Sequence, residues 1–177
     1  MYRPNKKTSL CNLLLLSSVL AGCASQKPVT SISSDPAPTG DVCAQLSYVF
    51  ESSADGFRAI REQATYHNKI TIWQSAYQPL GNKCEIWQWS NRYSYVCSRV
   101  LPDEQTALNA YNQVIETIDQ CLDKTWQQRP EPLPENKGEQ TQYLLNGQVR
   151  GSVQRVNTKG LFAKDWTVYV LINSPES

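Results

Sequence analysis

The feature that most constrains this chain is the fourteen-residue stretch from Cys84 to Cys97, CEIWQWSNRYSYVC. It alternates apolar and polar residues on either side of Ser90-Asn91, the pattern of two strands around a tight turn. If those two residues form the turn, Trp89 faces Arg92 and, counting outward, Cys84 faces Cys97. That pair falls at a non-hydrogen-bonded site, where opposing side chains approach most closely, so a disulfide is predicted there. A four-residue turn keeps the two cysteines opposite but changes their hydrogen-bonding class. Alternation also assigns faces: Cys84, Ile86, Tyr93 and Tyr95 share one, and Lys83, Glu85, Trp87, Trp89, Arg92 and Ser94 the other.

How many other cysteines remain depends on the first residues. Arg3, Lys6 and Lys7 precede an apolar run from Leu13 to Leu20 that ends in Leu20-Ala21-Gly22-Cys23. This is the order of a charged region, an apolar region and a small-residue cleavage site. The run is shorter than the roughly 20 residues a membrane-spanning helix needs. A plain secretory leader has no use for a cysteine at the first mature position. Leu-Ala-Gly-Cys resembles the lipobox of bacterial lipoproteins, which implies cleavage before Cys23 and lipid on its thiol. Acyl chains, at about 0.8 kcal/mol per buried CH₂, make such an anchor stable. Ala24 and Ser25, where an aspartate would mark retention in enterobacterial lipoproteins, resemble the sorting pattern for the outer membrane, with the domain facing the periplasm.

Residues 1–22 are thus read as a leader, 23–40 as the lipidated cysteine with a tether rich in Ser, Thr and Pro, and 41–177 as a single domain. The tether reaches roughly 20–25 Å. Loss of the leader removes three of the 17 basic residues and none of the 16 acidic ones, leaving 14 against 16. That balance gives no nucleic-acid footprint. Cys11 departs with the leader and Cys23 carries lipid, so Cys43 pairs with Cys121 by elimination. An oxidising compartment favours two such bridges. A zinc site is a weak alternative, because the one other soft ligand is His67 and no Cys-x-x-Cys spacing occurs.

Cys43, Leu46, Phe50, Phe57 and Ile60 mark one face of a helix from Asp41 to about Arg61. Strands are predicted over 69–77, 83–89 and 92–100, then a helix over 102–124 that opens with Pro102, Asp103 and Glu104. Residues 128–140, with Pro130, Pro132, Pro134 and Gly138, read as a solvated loop. Three more strands follow: 141–145 and 148–156 around Asn146-Gly147, and 166–172. The expected fold is α+β: a two-layer sandwich of order α-β-β-β-α-β-β-β, its largely antiparallel sheet carrying both helices.

That order, with Gly56-Phe57-Arg58-Ala59-Ile60 ending the first helix, Pro79-Leu80-Gly81 before Cys84, and Cys121-Leu122 ending the second, resembles the type III secretion chaperone-like fold, including YbjN-type domains. The resemblance spans about residues 41–172 and implies a domain used for protein contact, with no catalytic residues to carry over.

No histidine-based, nucleophile-elbow, phosphate-loop or dinucleotide motif is present. His67 lies in a polar connection, and Glu51/Asp55 reads as a solvated helix face. No enzyme, cofactor or metal is expected. The mixture of Trp87, Trp89 and Arg92 on one hairpin face is of the kind enriched at binding hot spots. It leaves two readings open: a docking surface for an unidentified protein, or a face covered by the rest of the domain. The functional expectation is a non-catalytic protein-binding module of the cell envelope. Alternatives are an immunity protein against a periplasm-acting toxin, and a small-ligand binder or enzyme of unknown class.

Overall fold

The computed structural model describes residues 38–81, 83–159 and 164–175. The leader, Cys23 and most of the tether lie outside them. A helix α1 (Val42–Ser52) leads through two 3-10 turns into strands β1 (Arg61–His67), β2 (Ile70–Ser75), β3 (Cys84–Trp89) and β4 (Arg92–Leu101). Helix α2 (Glu104–Cys121) follows, then β5 (Trp126–Pro132), β6 (Gly138–Leu145), β7 (Gln148–Lys159) and β8 (Lys164–Asn173). All eight strands form one antiparallel sheet of order β1-β2-β3-β4-β8-β7-β6-β5.

This overturns the expected two-layer α+β sandwich of order α-β-β-β-α-β-β-β. The sheet dominates, each helix is followed by four strands instead of three, and the order on which the secretion-chaperone resemblance rested is not found. Both added strands are sheet edges. β1 is polar and exposed along most of its length, so it buries nothing that would print an apolar period. β5 contains Pro130 and Pro132, which read from the sequence alone as breakers. Leu133 N–H donates to the Gly138 carbonyl. By alternation from that bond, the two prolines occupy non-hydrogen-bonded positions, where a missing N–H costs the ladder nothing.

The first helix also ends nine residues earlier than the stripe predicts. Gly56 and Phe57 both adopt left-handed backbone, with φ of 73° and 67°. Phe57 N–H returns to the Ser52 carbonyl, closing the helix, and the Phe57 ring drops into the core with no exposure. Asp41 caps α1 by accepting from Ala44 N–H, and Asp103 caps α2 by accepting from Thr106 N–H and Oγ1. Those bonds hold the Asp103 carboxyl below the usual carboxylate range.

One sheet face supplies Ile86, Tyr95, Tyr143, Val153, Val168, Val170 and Ile172 to a core completed by Leu46 and Val49 of α1 and Ala107, Tyr111 and Ile118 of α2. At the start of α2, Arg155 joins Glu104 and Glu139 at 3.3 and 2.9 Å and lies 4.5 Å over the Trp166 ring. Two disulfides are present, Cys84–Cys97 across the β3–β4 hairpin and Cys43–Cys121 between the start of α1 and the end of α2.

Candidate binding face and the pocket at its end

The β3–β4 hairpin sets the positions of the three candidate residues. Trp89 pairs with Arg92 beside the turn, and Trp87 with Ser94 one step of the same face further in. Strand β2 extends the row, bringing Ile70 opposite Trp89 and Ile72 opposite Trp87. The face therefore reads Ile70-Trp89-Arg92 and Ile72-Trp87-Ser94 across three strands. It is opposite the face that packs against both helices.

Of the two readings left open, the described structure excludes helix cover for these tryptophans. They are not equivalent, however. Trp87 is half-buried among its sheet neighbours and its indole N–H donates to Glu85 Oε2 at 2.9 Å. Trp89 is 38% exposed and Arg92 is exposed. Smaller residues of the same face, Ser94 and Val96, are buried between these longer side chains.

Where the β3–β4 and β6–β7 turns meet the end of β8, an open pocket of about 650 Å³ is lined by Trp89, Arg92, Ser94, Arg150 and Asn173. Ser94 Oγ donates to Asn173 Oδ1 at 2.7 Å, locking the floor. Arg150 reaches the pocket because the β6–β7 register slips between Tyr143 and Leu144, leaving Arg150 as the extra residue of a bulge. One of its terminal nitrogens donates to Ser53 Oγ at 3.0 Å. Its Nε is buried with no acceptor among the described residues, a condition that costs about 1–3 kcal/mol.

Trp89 and Arg92 are thus brought to this pocket and Trp87 is not. Arg150 was missed because nothing in its neighbourhood distinguishes a bulge from a regular strand. The sequence reading also missed an aromatic stack on the opposite face. There the Arg61 guanidinium lies 4.4 Å from the Trp73 ring and 4.2 Å from Tyr93, and bonds the Gly56 carbonyl.

His67 ends β1, exposed. Among the described residues no three His, Cys, Asp or Glu side chains gather as a metal site, and no helix is long and apolar enough to cross a membrane. Compared with protein-family models, with curated proteins and with solved structures, the chain finds no match.

Proposed function

We propose that this chain is a cell-envelope lipoprotein, anchored through Cys23 and sorted to the outer membrane, whose domain faces the periplasm and binds another protein without catalysis. The anchor rests on Leu20-Ala21-Gly22-Cys23 and the charged and apolar residues before it. Palmitate labelling should mark the wild type and leave Cys23→Ser unmarked; equal labelling of both would sink the anchor.

The observation that carries the binding role is the exposed Trp89 beside Ile70 and Arg92, on a sheet face that the described helices leave open. Single exposed apolar residues are ordinary, whereas a tryptophan set among isoleucine and arginine across three strands forms an anchor patch. The partner we infer presents an apolar knob to Trp89 and Ile70, and a carboxylate or carbonyl to the pocket that Arg150 lines.

Trp89→Ala should weaken binding about thirtyfold, a loss of roughly 2 kcal/mol, while changing the melting temperature little. The partner is first captured on the wild-type domain, then purified and titrated against both forms. Equal affinity for the variant would overturn the surface, and a collapsed melting temperature would show Trp89 to be structural. If the captured partner is a toxin that the domain neutralises, the same face serves an immunity role.

A further inference from the structure

The two edges of the sheet are treated in opposite ways. On β5, Pro130 and Pro132 remove N–H groups that would otherwise point out of the sheet, a common guard against strand addition. β1 carries no proline, and its bulge between Arg61 and Ala64 leaves the row from Ala64 to His67 uninterrupted. Its two-residue turn, Asn68-Lys69, makes His67–Ile70 the hydrogen-bonded closing pair. Thr65–Ile72 is then hydrogen-bonded too, while Ala64–Trp73 and Tyr66–Thr71 are not. The N–H and C=O of Ala64 and Tyr66 therefore face outward from an edge strand whose sheet neighbour is β2, and Tyr66 is the most exposed large hydrophobic side chain among those described, at 78%.

We propose that β1 pairs with β1 of a second copy, antiparallel and about a two-fold axis at Thr65, joining two sheets into one. The register is set by three facts. A bulge between Arg61 and Ala64 and the turn after His67 leave residues 64–67 as the usable edge. Outward groups must meet outward groups, so the axis falls on a residue and not between two. Only an axis at Thr65 pairs both Ala64 and Tyr66 within that span, through four hydrogen bonds.

In that register Tyr66 lies opposite the small Ala64 of the second copy, and the two Thr65 side chains face each other at a non-hydrogen-bonded site, a favourable cross-strand pair. The prolines on β5 prevent the head-to-tail alternative, β1 on β5, which would grow into a filament. The interface closes on itself instead. Four bonds and two symmetry-related Tyr66–Ala64 contacts make a small interface, and dissociation on the order of 10–100 µM is expected. This pairing leaves the Trp89 face open and does not depend on what that face binds.

The test uses Thr65→Cys in the full chain, because opposing Cα atoms at a non-hydrogen-bonded pair lie about 4.5 Å apart, within disulfide range. Under mild oxidation it should form a reducible dimer whose cross-linked peptide joins position 65 to position 65. Asn112→Cys, exposed on α2, should give at most a tenth of that yield. Thr65→Lys sets like charges across the axis and should leave the chain monomeric by sedimentation at concentrations where the wild type is a dimer, with its melting temperature retained. A wild type that sediments as a monomer at 1 mM, roughly tenfold above the expected range, would overturn the pairing. So would cross-linking of Thr65→Cys no faster than that of Asn112→Cys.

Discussion

Replacing Cys43 and Cys121 together with alanine is expected to lower stability by about 4.5 kcal/mol. The bridge closes a loop with a sequence separation of 78, against 13 for Cys84–Cys97. In the chain-entropy picture the longer loop restrains the unfolded ensemble more, and the short staple contributes about 3 kcal/mol. Its native role is also less replaceable. Cys43 lies next to the first residue of α1 and Cys121 is the last residue of α2, so the bond fastens the start of one helix to the end of the other where the two pack together. Thermal melting under non-reducing conditions should show a fall on the order of 15 °C. A shift below about 3 °C would mean that the helices hold each other without it.

Phe57→Ala should cost about 3–5 kcal/mol, because a fully buried ring packed 6.2 Å from Tyr95 leaves a cavity that the sheet cannot close. The backbone adds a second expectation of opposite sign. With φ of 67°, position 57 is one where any side chain is strained by about 1–2 kcal/mol relative to glycine. Phe57→Gly should therefore be no less stable than Phe57→Ala, reversing the order usual in a regular element. Urea denaturation of the two variants measures both quantities. An alanine variant within 1 kcal/mol of wild type, or a glycine variant clearly below it, would refute this account of the break after α1.

The same residue explains where the sequence was hard to read. Phe57 and Ile60 fit the helical stripe begun at Cys43, and they are indeed buried, but the core is reached through a left-handed corner and not along a helix. Periodicity records which residues are buried and is silent on the path between them. The central strands were legible because each puts one apolar face on the helices and one mixed face outward, and the cysteines at the ends of the hairpin agree with that register. The edges were not legible. β1 is too polar to alternate, and the prolines of β5 carry the same letter whether they break a strand or guard one. At the candidate face, alternation set Trp87, Trp89 and Arg92 on one side correctly. It could not show that Trp87 would be half-buried beside Glu85, nor that a slipped register in a distant hairpin would deliver Arg150.

The strand order reads identically outward from its middle, four sequence-adjacent strands on each side of the β4–β8 joint. Six of the seven joints are therefore made between consecutive strands, and the seventh joins residues about seventy positions apart. Each half is able to assemble early from local contacts, whereas the seam waits on a long excursion of chain. Because the Cys43–Cys121 bond links the helix that opens the first half to the one that opens the second, forming it first shortens that excursion. Refolding from the oxidised, denatured chain should consequently outpace refolding from the reduced one, with the gain concentrated in the closing of the seam.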